Sequence, residues 1–267
     1  MSRYLVLGAN SLIGRATVTA VPSNEVRPLP HQAAPERAAY SNVEAVLFAG
    51  RDPSIGGDDF DPDATAEFQA ACVAAEFDLP FLSLGTGRVY AFSSTPWTET
   101  SPIGPSNRYG RNKLRLENRL AQTLGSKLTR LRIGNVFGFE PGHGTFMGQT
   151  QQTLRDEGRV VFEISPFTKR DFLPVDILGE WIAQLLRKPP GGIVNIGSGI
   201  ALECGRLALW LIEGYGGGEL VISTPTVGDE FVMDIVHLRT MVEASITPET
   251  LRSSILALGV QLQQAGA

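Results

Sequence analysis

Cysteine is scarce in this chain of 267 residues: Cys72 and Cys204 are the only two, far apart and without metal-like spacing. That excludes a disulfide-stapled scaffold and points to a reducing compartment, with both thiols read as small core or helix residues. His143 and His237 show no ligand spacing and are read as loop or surface residues, so no metal site is expected. Basic charge is also in deficit, 23 Lys and Arg against 28 Asp and Glu, and the net charge of -5 argues against a nucleic-acid surface. No apolar run approaches the ~18 residues of a membrane helix, and no secretion signal is read, so a cytoplasmic protein is expected. Internal repeats and low-complexity tracts are missing too.

What is present is a soluble composition, 43% hydrophobic with mean hydropathy +0.01, in a chain long enough for one α/β unit and a small lobe. Strands are predicted at Arg3 to Leu7, Glu25 to Leu29, Ala45 to Ala49, Pro80 to Leu84, Lys127 to Ile133 and Ile193 to Ile196. Helices are predicted at Leu12 to Ala20, Ala64 to Glu76, Ser106 to Leu124 and Val175 to Leu186. Such alternation favours a parallel sheet with helices on both faces, because each parallel step needs a crossover. The Gly/Pro/Asp-rich stretch Arg51 to Asp63 reads as an exposed loop.

Two local patterns carry chemistry. Directly after the first strand, Gly8-Ala-Asn-Ser-Leu-Ile-Gly14 opens a helix, a turn whose free N–H groups suit a pyrophosphate, although Ser11 stands where a middle glycine is usual. In Tyr109-Gly-Arg-Asn-Lys113 the tyrosine and lysine lie four apart, on one helical face. An unperturbed phenol titrates near ~10. A cation held beside it in a dry cleft favours phenolate and makes the group a usable acid or base near neutrality. Thr86 waits at the end of an upstream strand.

With these segments the chain resembles the extended short-chain dehydrogenase/reductase superfamily, in its nucleotide-sugar epimerase, dehydratase and ketoreductase branch. The resemblance runs in order through Gly8 to Gly14, Val43 to Gly50, Phe81-Leu-Ser-Leu-Gly-Thr-Gly-Arg-Val-Tyr90 and Thr98-Glu-Thr-Ser-Pro102. It continues through Tyr109 to Lys113 with Glu117, Leu131-Arg-Ile-Gly-Asn-Val-Phe-Gly138, Lys169-Arg-Asp-Phe-Leu-Pro-Val-Asp176 and Val194-Asn-Ile-Gly-Ser-Gly199. It implies a Rossmann-like doubly wound parallel sheet, from residues 1–138 plus 174–197, and a small substrate-binding lobe from 139–173 plus 198–267. It implies catalysis by Thr86, Tyr109 and Lys113, and cofactor contacts from Gly8, Asn10, Ser11, Leu12, Ile13, Gly14, Ala49, Gly50 and Lys113. Asn135 and Arg170 fall where the family holds the substrate diphosphate; Ser83 is a further substrate-side candidate, and it also reads as an ordinary strand residue with a satisfied hydroxyl. A homodimer through the Ala64 and Ser106 helices is a further implication, as is the place of the Arg51 loop at the active-site mouth.

Departures from the family narrow the expectation. Sugar-nucleotide dehydratases carry Asp-Glu immediately after the threonine, whereas this chain has Gly87-Arg88, which argues against 4,6-dehydration. A second phosphate arginine, usual shortly before Gly228-Asp-Glu, is replaced by Thr224-Pro-Thr-Val227. The third-strand segment is shortened or gone, and no acidic residue closes Glu25-Val-Arg-Pro-Leu-Pro-His31, where an Asp or Glu would select NAD. With Arg27 and His31 nearby, the cofactor expectation is NADP or NAD with a slight lean to NADP. The function expected is reduction of a nucleotide-activated 4-keto-6-deoxy sugar. An NAD-dependent 4-epimerase and a non-catalytic NAD(P)H-binding protein are the alternatives.

Overall fold

The computed structural model describes residues 3–223, 225–226 and 228–266. Of the two segments expected above, Met1, Ser2, Thr224, Val227 and Ala267 lie outside the described residues. Strand β1 (Tyr4–Leu7) is buried along its whole length, as the uninterrupted apolar run YLVL requires of a strand covered on both faces. It leads into α1 (Leu12–Ala20), β2 (Val26–Leu29), β3 (Ala45–Phe48), α2 (Ala66–Glu76), β4 (Phe81–Thr86), α3 (Arg108–Leu124) and β5 (Leu128–Ile133). Beyond these come β6 (Asn135–Phe137), α4 (Phe146–Glu157), β7 (Arg159–Phe162), β8 (Lys169–Arg170), β9 (Phe172–Pro174) and α5 (Val175–Arg187). The chain then runs through β10 (Gly192–Ile196), β11 (Leu202–Glu203), α6 (Cys204–Tyr215), β12 (Glu219–Ile222) and α7 (Pro248–Gly266).

Six strands form one parallel sheet in the order β10-β5-β4-β3-β1-β2. Direction of travel reverses at β1, which places the crevice for a ligand above the carboxyl ends of β1 and β3. Helices α1 and α5 pack together, close enough that a Cβ on Gly179 would stand 2.6 Å from the Ala16 backbone. Helices α2 and α3 pack with each other and with a second core that includes Leu5, Leu7, Phe81 and Leu120. This is the doubly wound α/β arrangement the alternation predicts.

The expected loss of a strand is visible at the sheet edge, where β2 has no outer neighbour among the described residues. Two single-turn 3-10 helices, His31–Ala33 and Arg37–Tyr40, take its place. Arg27 fastens this segment by donating from Nη1 to the carbonyls of Ala39 and Ser41 at 2.7 and 3.1 Å. Pro28 sits on the same edge strand, where its missing N–H suits an unpaired edge.

The Arg51–Asp63 stretch is held more firmly than a solvated loop. Ile55 and Phe60 are buried, Asn112 donates to the carbonyls of Ile55 and Gly57, and Arg108 and Arg119 pair with Asp58 and Asp63. The outward residues of α3 are accordingly polar: Arg108, Arg111, Arg115, Asn118 and Gln122 are exposed. Outside the central sheet, β6 pairs with β9, β7 with β12 and β8 with β11, while α7 packs on α6. Cys204 is buried and its thiol is pushed up to about 11 by burial, so it stays protonated. Among the described residues no helix is long and apolar enough to cross a membrane.

Candidate active site

Glycine chemistry shapes one end of the site. Gly8 has φ +82°, and a Cβ there would stand 2.4 Å from the backbone nitrogen of Gly50. Only glycine lets the β1–α1 turn press against the end of β3 in this way. Asn10, Ser11, Leu12 and Ile13 of that turn, with Ala49 and Gly50 at the end of β3, line one side of a cleft of about 820 Å³. Gly8 and Gly14 lie behind this lining and serve the turn's shape. Ser11 is the N-cap of α1, its Oγ accepting from the Gly14 N–H at 2.9 Å, so the residue in the middle-glycine position orders the helix start instead of baring it. The cradle fits a dinucleotide pyrophosphate in shape and in its remaining helix-terminal donors.

The second side is built from α3 and the end of β4. Asn107 caps α3 through its Oδ1, which accepts from Gly110 at 2.8 Å. A Cβ on Gly110 would meet the Arg88 carbonyl at 2.4 Å, so glycine after Tyr109 lets the first turn of α3 abut the segment following Thr86. Tyr109, Lys113 and Thr86 therefore line the same cleft. Thr86 is 8% exposed; its Oγ1 accepts from the Arg88 N–H at 3.2 Å, which leaves its own proton to donate to a substrate oxygen. Lys113, equally buried, spends one of its three donors on the Leu84 carbonyl at 3.0 Å. The Arg51 guanidinium stands 6.0 Å from the Tyr109 ring centre, adding a second cation near the phenol.

Of the three substrate-side candidates, the structure brings two into the cleft. Asn135 lines it with its Nδ2 donating to the Asp171 carbonyl at 3.0 Å, and Arg170 lines it with Nε donating to the Asp229 carbonyl at 3.0 Å. Asp171 beside it is fully buried and accepts from Ser198 N and Oγ, Gly199 N and Met233 N, tying β8 to the end of β10. Ser83 is not among the lining residues: it is buried under the sheet end and donates to Glu67 Oε1 at 2.6 Å.

Glu67 is a buried carboxylate the sequence reading did not single out. Burial raises its pKa above the ordinary carboxylate value, while Lys113 and the Ser83 hydroxyl hold it down in part and Glu117 and Asp52 add to the rise. The folded protein then holds the proton more tightly than the unfolded chain. Stability is lost as pH rises from the unfolded value near ~4.3 through the folded one. Glu67→Gln is expected to raise the midpoint of thermal unfolding at pH 8 by roughly 2–4 °C per kcal/mol recovered, with the gain vanishing near pH 4. A gain of equal size at both pH values would refute the charge as its cause.

The cleft is also lined by Arg15, Arg51, Arg88 and Asp229, which sequence reasoning assigned no binding or catalytic role, and by Glu140 and His143. Glu140 and His143 stand 3.5 Å apart in the loop before α4, and burial raises the Glu140 pKa against the opposing fields of His143, Arg15 and Arg51. Five cationic side chains, Arg15, Arg51, Arg88, Lys113 and Arg170, face the cleft with two carboxylates, in a chain of net charge -5. The site thus concentrates positive charge against the sign of the whole protein and suits an anionic ligand.

Solved structures of similar fold are numerous. A structure described as a novel NAD dependent-NDP-hexosamine 5,6-dehydratase, TunA, of tunicamycin biosynthesis superposes with TM-score 0.83 at 19% identity, covering 99% of this chain and 98% of that one. UDP-N-acetylglucosamine 4-epimerase from Bacillus cereus gives 0.82 at 17%, covering 98% and 100%. RMD from Pseudomonas aeruginosa, complexed with NADPH, gives 0.78 at 17%, covering 99% and 100%. At these identities the likeness establishes the fold. No curated protein matches the chain significantly. Residues 58–197, which run from the Arg51 loop through Thr86, Tyr109, Lys113, Asn135 and Arg170 to the end of β10, match the NAD dependent epimerase/dehydratase family. With that match over more than half of its length, the chain belongs to this family.

Proposed function

We propose that the protein is a cytoplasmic NAD(P)-dependent oxidoreductase acting on a nucleotide-activated sugar, reducing a 4-keto-6-deoxy sugar. The observation that carries the reading is the meeting of Thr86, Tyr109 and Lys113 in one cleft, between the glycine turn on one side and Asn135 with Arg170 on the other. When bound, the nicotinamide cofactor supplies the hydride. Thr86 donates to the sugar oxygen and fixes its direction. Tyr109 moves the proton on that oxygen as the bond order at carbon changes, and Lys113 stabilises the phenolate that results. Asn135 and Arg170 hold the diphosphate, so that binding energy remote from the reacting carbon positions it. The lobe carrying Arg170 and Asp229, from 139–173 plus 198–267, is read as the substrate-binding part.

The shortened sheet edge favours reduction, in which cofactor exchanges every cycle, over a reaction that must retain it through oxidation and return. The 4-epimerase is the second reading, because it needs the same three residues and one similar structure bears that activity in its description. For the cofactor, Arg27 is occupied with the Ala39 and Ser41 carbonyls, so the lean to NADP rests on the missing acidic residue after β2 and on His31. His31 stands beside the cleft residue Gly50, within 2.9 Å of where that glycine's Cβ would be. The test is to denature freshly purified protein and identify any released dinucleotide. An empty protein that binds NADPH in a fluorescence titration is the expected result. Stoichiometric NAD would instead establish the epimerase, and binding of neither dinucleotide would overturn the enzyme reading.

A further inference from the structure

Arg88 occupies the position where the family's dehydratases carry a carboxylate, and its surroundings give it a task of its own. It extends from the 3-10 turn after Thr86 into the substrate side of the cleft, lying over the Phe231 ring at 4.5 Å and pairing with Asp229 at 3.3 Å. Arg170, from β8, donates to the backbone carbonyl of the same Asp229 at 3.0 Å and lies 5.6 Å from the Phe146 ring centre. Two guanidinium groups from distant parts of the chain therefore converge on one residue.

We propose that Arg88 is the second arm of the diphosphate site, holding the substrate's phosphate oxygens together with Arg170 and taking the place of the arginine that residues 224–227 lack. This rests on the nucleotide-sugar reading above. Charge decides the class of ligand. Two fixed positive charges face one carboxylate, leaving the pair one negative charge short, whereas a sugar-nucleotide diphosphate brings two. Exposure decides which partner gives way: the Arg88 side chain is 24% exposed and the Asp229 side chain 67%. The carboxylate is the solvated, replaceable member, and the guanidinium is packed in place by Phe231. Burial and the nearby charge of Arg170 lower the Arg88 pKa and Asp229 opposes them only in part, a balance that an added anion would shift further. The planar fork of arginine suits two phosphate oxygens at once, which an isolated ammonium does not.

A neutral hexose and a uronic acid on the same nucleotide separate the diphosphate from a sugar carboxylate as the group recognised. Isothermal titration of the wild type with UDP, dTDP, GDP, CDP and ADP first identifies the nucleoside diphosphate it binds. The unsubstituted diphosphate, its glucose conjugate and its glucuronate conjugate are then titrated into Arg88→Ala and Arg88→Lys, with NADPH affinity as the control for an intact fold. The expected result is a loss of about 10- to 100-fold for all three ligands in Arg88→Ala, a smaller loss in Arg88→Lys, and NADPH affinity unchanged in both. Unchanged affinity for the diphosphate and its glucose conjugate overturns the proposal, and a loss confined to the glucuronate conjugate does so by assigning Arg88 to a sugar carboxylate. A parallel loss of NADPH affinity in both variants also overturns it, by making Arg88 a structural residue. If the wild type binds no nucleoside diphosphate, the nucleotide-sugar reading itself fails, which is distinct from a wild type that binds one and an Arg88→Ala variant that binds it equally well.

Discussion

Replacing Tyr109 with phenylalanine is expected to lower turnover by roughly 10³-fold, within the range that a positioned general acid or base contributes. The substitution removes one oxygen from a half-buried ring on the first turn of α3 and leaves the Asn107 cap, Gly110 and the Lys113–Leu84 hydrogen bond in place. Binding of NADPH should therefore change little, and the thermal midpoint should stay close to that of the wild type. A comparison with Thr86 supplies the stricter reading. Thr86→Ala, which removes a donor to the substrate oxygen and keeps the phenol, is expected to lower turnover by less than Tyr109→Phe. A Tyr109→Phe enzyme turning over at the wild-type rate would remove the proposed mechanism. A cofactor affinity that falls together with the rate would place the tyrosine in binding instead.

The second large effect concerns stability. Glu117 of α3 and Arg132 of β5 form an ion pair with both side chains almost wholly buried, 2% and 3% exposed, the carboxylate receiving Arg132 Nη2 at 2.8 Å and Nε at 3.2 Å. The guanidinium also stands 4.8 Å from the Tyr90 ring centre, and Tyr90 donates to Asn195 at 2.7 Å, so the pair joins α3, β5 and β10 beneath the cleft. Glu117→Ala leaves a buried cation uncompensated and is expected to cost about 3–5 kcal/mol, a fall in thermal midpoint of roughly 6–20 °C. Removing both charges should restore much of that loss, because the desolvation cost of the pair then disappears with its attraction. Chemical denaturation of Glu117→Ala, Arg132→Met and the double variant measures this directly. A double variant as unstable as the sum of the two singles would show that packing, not charge, is what the site supplies. Lys113 lies one helical turn before Glu117, so the pair also sets how α3 presents Tyr109 and Lys113 to the cleft.

Much of the sheet was legible because its signals are local. The apolar runs at β1, β3, β4 and β5 and the glycine turn after β1 announce themselves within a few residues, and the observed strands fall within about one or two residues of expectation. The shortened edge was legible too, because Val21 to Asn42 is too short for a helix and a further strand between β2 and β3. Less was visible after β5. No element was expected within Phe139 to Phe172 or after Ile200, yet α4, α6 and α7 lie there with strands of two to four residues. Those strands pair only with partners far away in sequence, β8 with β11 and β7 with β12, so their register depends on packing that periodicity cannot report. Ser83 shows the same limit on a single residue. Strand alternation places it near the end of β4, but only the packing of α2 decides that its hydroxyl meets Glu67 instead of the cleft. The Arg51 loop reads as exposed from its glycines and aspartates, whereas Asn112, Arg108 and Arg119 on α3 turn it into a fastened cover.

By itself the sequence determined the family and the alternation of strand and helix, and it pointed to Thr86, Tyr109 and Lys113 as neighbours in one cleft, because each signal is encoded at short spacing: four residues along a helix, or at the end of a strand. Only the tertiary structure decided that Arg27 ties down the sheet edge, that Glu67 lies buried near Lys113, and that Arg88 and Arg170 converge on Asp229. Those outcomes join residues from 12 to 141 positions apart. They depend on how side chains desolvate one another once the sheet, α2, α3 and the later segments have packed, a free-energy balance that no single stretch of the chain contains.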